Sequence, residues 1–236
     1  MRNLTPCVFA MLLFAAGCAS SASTYSVLPP PSNAALPPSA PSLYATAPRA
    51  PLHSELFVCN TWSSNLGDIG QRGEALNYTP YMDTQAGPLL RMPTEAACFS
   101  SGFGWRGVAN GGGRAHNGID LANPNGGFIF AAGSGRIVSA DWRNGFGNLV
   151  EIDHGSGVHT LYAHLAEIDP NLNPGARVIE GQAIGRMGMT GNATGVHLHY
   201  EVWINGLQVD PIHYGLPPQY VTTPVTDATP KPIDEY

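Results

Sequence analysis

The chain has 236 residues, with 11 Lys and Arg against 17 Asp and Glu, for a formal charge of -6. No basic run occurs anywhere, which excludes an electrostatic footprint for nucleic acid. The 21 prolines concentrate toward the two ends, which predicts one globular domain carrying long tails.

In chain order, the first stretch reads MRNLTPCVFAMLLFAAGC: one positive residue, an apolar run from Cys7 to Ala16, then Gly17 and Cys18. Such a run is too short to span a bilayer as a mature helix, and residues 1–17 are expected to be a secretory signal. Small residues followed by cysteine resemble a bacterial lipobox. On that reading Cys18 becomes a lipidated N-terminus and ties the chain to a membrane; the alternative is ordinary signal cleavage a few residues further on. Either way the domain works outside the cytoplasm. Residues 19–51 are rich in Pro, Ser and Ala and are expected to form a linker, able to reach on the order of 100 Å when extended.

With Cys7 in the signal and Cys18 on the lipid, Cys59 and Cys98 remain. An even pair in an oxidising compartment reads as a disulfide, which would contribute about 4 kcal/mol in the chain-entropy treatment. Residues 52–98 carry no recognisable motif. They read either as an extension packed on the main domain or as a cover over part of a cleft. From Phe99 onward the composition changes to short β-like runs between glycine turns. Strands are predicted at Phe128–Ala132, Arg136–Ala140, Asn148–Asp153, Val158–His164, Arg177–Ile179, Ala183–Met187 and Val196–Ile204. No helical period of useful length appears, so residues 99–215 are expected to form an all-β, antiparallel, sandwich or barrel-like domain with a groove. Residues 216–236 return to Pro and Thr and are expected to form a tail.

The stretch GVHLHYEVW, residues 195–203, concentrates the chemistry. In a strand His197, His199 and Glu201 share one face, while Val196, Leu198, Tyr200 and Val202 share the other. Two imidazoles two residues apart suit either a metal ion or a proton-transfer site. Glu201 has no assigned role at this point. It either supports the histidines or marks where that face meets water. His116 and Asp120, four apart in HNGID, add an imidazole and a carboxylate. With the later His-x-His they supply three protein ligands, and three ligands with an open position characterise a catalytic zinc.

Seven segments make a resemblance explicit: SSGFGWR, HNGIDLANPNG, AAGSGRIVSADW, GFGNLVEIDHG, TLYAHL, GARVIEGQAIGRMGMTGNATG and HLHYEVWINGLQVDP. Together they resemble the LytM-type, lysostaphin-like zinc metallopeptidases, whose fold is a duplicated hybrid motif. The resemblance implies that His116, Asp120 and His199 ligate Zn²⁺. It also implies that His164 and His197 form a catalytic pair serving a zinc-bound water that attacks a peptide carbonyl. The implied substrate is the peptide cross-link of bacterial peptidoglycan. A lipid-anchored, exported member is then expected at the outer membrane, facing the periplasm, where wall-synthesis or division proteins are possible partners.

Two rival classes were weighed. GARVIEGQAIG resembles the hairpins of biotinyl and lipoyl carriers, but a carrier needs a lysine on an exposed turn. Lys231, the sole lysine, lies in the tail, which excludes that class. The second rival is a catalytically silent wall-binding module that activates another peptidoglycan hydrolase.

Overall fold

A computed structural model describes residues 55–66, 69–107 and 113–216. The signal, Cys18, the linker and nearly all of the tail lie outside these residues, as does His53. Fourteen strands and no helix occur among the described residues. The antiparallel all-β class expected from the sequence is therefore what the chain adopts.

The segment with no motif contributes two paired strands, β1 (Tyr81–Thr84) and β2 (Gly87–Leu90). Next come β3 (Cys98–Ser101), a separate hairpin of β4 (Gly104–Gly107) and β5 (Gly113–His116), and β6 (Ile119–Ala122). The remainder comprises β7 (Phe128–Phe130), β8 (Gly135–Arg143), β9 (Gly147–Gly155), β10 (Val158–Ile168) and β11 (Arg177–Val178), then β12 (Ala183–Met187), β13 (His197–Ile204) and β14 (Leu207–Val209). Ten of these strands form one sheet whose main path is β11-β8-β9-β10-β13-β6-β3.

Strand β13 is central, which explains its sequence. It pairs with β10 on one side and β6 on the other, so both of its edges are hydrogen-bonded. Leu198, Tyr200 and Val202 are fully buried in the main core. Each contributes about 1.5–3 kcal/mol by area, an upper estimate because a real unfolded chain already hides some surface. The opposite face is also buried but polar, and it carries the histidines. The strand ends at Asn205-Gly206, both at positive φ (51° and 79°), the geometry that a two-residue hairpin to β14 demands.

The sheet forks along β10. Its first half, Val158 to Ala163, pairs with β13, and its second half, Leu165 to Ile168, pairs with β12. His164 sits at the switch with a left-handed φ of 64°, and the pairing with β9 shifts register there. Strict alternation would point His164 to the same side as Tyr162, into the core. The local irregularity turns it out instead.

The described residues of the 52–98 segment, for which the sequence offered no motif, are part of this architecture rather than an appendage. Val58 and Ser64 bridge Phe99 and Ser101 in parallel register, and Cys59 is bonded to Cys98. The boundary drawn at Phe99 thus falls inside β3. Further along, the buried guanidinium of Arg91 donates to the carbonyls of Pro211 (2.7 Å), Ile212 (2.9 Å) and Tyr214 (2.9 Å), fastening the start of the described chain to its end.

Candidate active site

Antiparallel register brings the sequence motifs together. His199 of β13 lies directly across from Asp120 of β6 on one side and Ala163 of β10 on the other. His116 ends β5, and Gly118 lets the connection to β6 pass against β13. A Cβ at position 118 would come within 2.3 Å of the Tyr200 carbonyl. The result is a cluster of His116, Asp120 and His199, all buried, whose donor atoms lie within 4.8 Å of one another.

Each ligand atom is selected by what holds the rest of its side chain. His116 Nδ1 donates to the Gly102 carbonyl, so Nε2 carries a lone pair. That Nε2 lies 3.0 Å from Asp120 Oδ1 and 3.1 Å from His199 Nδ1. His199 Nε2 faces Glu201 Oε1 at 3.0 Å, which leaves Nδ1 pointing at Asp120 Oδ1, 2.9 Å away. The second oxygen of Asp120 accepts from Arg106 at 2.6 Å, and the same guanidinium nitrogen donates to Ser101 Oγ. Burial alone would raise the Asp120 carboxyl, but the adjoining His116 and His199 imidazoles hold it well below the usual range. Burial also opposes charge on His199, yet Asp120 and Glu201 overcome it and push its pKa up to about 9 without metal, so an ion bound there would displace the Nδ1 proton. Burial pushes His116 down against the pull of Asp120, so it stays a neutral ligand. Two imidazole nitrogens and one carboxylate oxygen aimed at one point, with their far atoms already engaged, fit a zinc ion with an open coordination position.

His164 and His197 stand beside this cluster, their ring centroids 4.8 Å apart. His164 Nδ1 donates to the Thr190 carbonyl (2.8 Å) and His197 Nδ1 to the Gly195 carbonyl (2.9 Å). A carbonyl can only accept, so both rings are fixed as tautomers with a bare Nε2. His197 Nε2 lies 3.8 Å from Asp120 Oδ1. Burial, reinforced by the neighbouring His197, pushes the His164 pKa down to about 4, which keeps it neutral and ready to accept a proton at neutral pH.

All five residues singled out in the sequence therefore meet at one groove of about 350 Å³. The other described histidines do not. His154 caps a chain of hydroxyls through Thr160, His213 pairs with Asp210, and His159 faces Glu151 and Asp153. Sequence reasoning left one contributor open and missed two. Glu201 is 2% exposed and braces His199, so it does not mark a water-facing edge; its place on the same strand face was the available signal. Arg106 lay inside a matched segment without any chemistry to single it out. Trp62, from the segment without a motif, lines the groove beside the histidines, and nothing local in the sequence announces it.

An antiparallel sheet thus gathers the donor set of a hydrolytic zinc site, a His-Asp-His cluster beside two orienting imidazoles. Residues 114–211 match the sequence family described as Peptidase family M23. Over that stretch the chain is similar to that family. It is 43% identical over 109 residues, or 46% of its length, to the DD-carboxypeptidase/endopeptidase Mpg of Neisseria meningitidis, and covers 25% of that protein. It is 38% identical over 130 residues to the peptidoglycan DD-endopeptidase ShyC of Vibrio cholerae, covering 54% of this chain and 30% of that protein. Among solved structures, a zinc-containing peptidase from Vibrio cholerae superposes with a TM-score of 0.50 at 32% identity, covering 61% of this chain and 43% of the other. The chain thus spans a quarter to a third of the length of these curated relatives.

Proposed function

We propose that this protein is a zinc-dependent endopeptidase that hydrolyses peptide cross-links of bacterial peptidoglycan. The observation that carries the reading is the convergence of His116 Nε2, Asp120 Oδ1 and His199 Nδ1 beside two imidazoles with bare Nε2 atoms. Relatives that are named peptidoglycan DD-endopeptidases support the substrate class. Bound at the three ligands, zinc would polarise a peptide carbonyl and bring the pKa of water to about 7.

The chain's own residues supply the rest. His164, neutral because burial depresses it, takes a proton from the attacking water at Nε2. His197, 4.8 Å away centroid to centroid, stabilises the developing oxyanion or passes a proton to the leaving amine. Arg106 and Glu201 keep Asp120 and His199 from turning away from the ligand position. Export through residues 1–17, lipidation of Cys18, a spacer over 19–51 and a tail over 216–236 would place this chemistry at the envelope, tethered to the outer membrane and facing the wall.

The test is digestion of purified cross-linked muropeptides with product masses, alongside zinc content. His116→Ala, Asp120→Ala and His199→Ala are expected to lose zinc. His164→Ala and His197→Ala are expected to keep most of it and lose turnover. A zinc-loaded wild type that cuts no cross-link, while His164→Ala still restores wall growth in cells, would sink the enzymatic reading in favour of a hydrolase-activating module.

A further inference from the structure

We propose that Trp62 is a substrate-positioning side chain, an aromatic wall on which an extended peptide of small, methyl-bearing residues lies as it enters the site. This rests on the peptidase reading above and adds a residue from outside the family match to it.

Three observations converge on this side chain. Trp62 lines the same groove as His164, His197 and His199. Its ring packs on Gly195 so closely that a Cβ there would come within 2.7 Å of the indole. The carbonyl of Gly195 is the acceptor that fixes the His197 tautomer. The indole therefore rests on the peptide unit that orients one of the two proton-handling imidazoles.

The segment carrying Trp62 is also held rigidly. The disulfide to Cys98 pins it three residues before, and three bonds pin it just after. Ser64 Oγ donates to Ser101 Oγ at 3.1 Å, and Asn65 Nδ2 donates to the carbonyls of Gly102 (2.8 Å) and Phe103 (3.1 Å). Gly102 O is also the acceptor that holds His116. A wall fixed on both sides costs a ligand little to order.

The chemistry of the remaining lining sets what the wall is for. Ser101, Arg106, Arg114, Asn117 and Asn192 give the groove hydrogen-bonding and cationic character. Phe146, the other aromatic ring there, packs against the His199 ring and a small core of Leu149, Leu161 and Ala163. Trp62 is half-buried, with one side committed to Gly195, so the rest of its indole is the large apolar surface left for a ligand. Methyl groups and amide planes pack well on such a face.

The experiment uses the full chain loaded with zinc and a purified cross-linked muropeptide dimer. For Trp62→Ala, KM is expected to rise about tenfold, with a fall in kcat smaller than that rise as the Gly195 support of His197 loosens. Zinc content and urea midpoint are expected to match wild type, and Trp62→Phe is expected to recover most of the KM. Unchanged KM in Trp62→Ala, or a loss confined to kcat or zinc, overturns the proposal. If wild type cleaves nothing, the peptidase reading fails by itself and calorimetric binding of the same dimer decides Trp62. About tenfold weaker binding by Trp62→Ala supports the proposal; equal binding, or none by wild type, overturns it.

Discussion

Replacing Glu201 with glutamine tests how His199, a proposed zinc ligand, is held. The carboxylate is 2% exposed and accepts two hydrogen bonds, from His199 Nε2 at 3.0 Å and from Trp203 Nε1 at 2.7 Å. Glutamine keeps the shape but has one acceptor oxygen. If that oxygen serves His199, the amide NH2 faces the indole N–H, donor against donor, and the reverse orientation deprives His199. One charge-assisted bond, about 1.5–3 kcal/mol, is lost in either case. Part of that loss falls on the folded chain and part on metal binding, so zinc affinity is expected to fall about 10–100-fold. A competition titration against a chromophoric chelator at neutral pH reads it directly. Trp203→Phe removes the opposing donor, so the double variant is expected to recover about 1 kcal/mol relative to the sum of the two single changes. Zinc affinity in Glu201→Gln within twofold of wild type would refute the argument, and so would strict additivity.

The left-handed backbone at His164 predicts that His164→Gly unfolds at higher urea than His164→Ala, by about 1 kcal/mol, although both are inactive; equal midpoints would show that the switch between β13 and β12 stores no strain. Changing Cys59 and Cys98 together to serine is expected to cost about 2–4 kcal/mol in denaturant unfolding and, by loosening the Trp62 wall, to raise KM as Trp62→Ala does. Burial depresses the pKa of His154 below its unfolded value of 6.5, so its contribution is complete above that pH and fades as pH falls toward the folded pKa. The stability of His154→Gln is accordingly expected to fall less than that of wild type between neutral and mildly acidic pH.

The parts of the site that were legible in the sequence depend on short-range periodicity. His197, His199 and Glu201 share a face because a strand alternates, whatever surrounds it, and His116 and Asp120 are near in sequence. Resemblance to known segments added His164, but nothing in TLYAHL reveals that the residue sits at a change of strand partner. That conformation exists because β12 and β13 compete for one edge of β10, a contact between distant segments. The strands from β1 to β6 were missed for a related reason. They are four residues each, too short to show a period, and glycines and polar side chains fill several of their positions. Trp62 was invisible because its meaning lies in a contact with Gly195, across 133 positions of chain.

The Arg91 clamp bears on how this protein can be cut for study. The family match covers residues 114–211, yet the guanidinium at position 91 holds carbonyls at 211, 212 and 214. A fragment trimmed to the match would leave the Pro211 carbonyl without its donor, remove the edge strand that carries Cys98, and take away the Gly102 oxygen that sets His116. What is shared with relatives is therefore smaller than what folds cooperatively in this chain. A shortened version meant to keep the His-Asp-His cluster should begin before Leu56 and run past Tyr214.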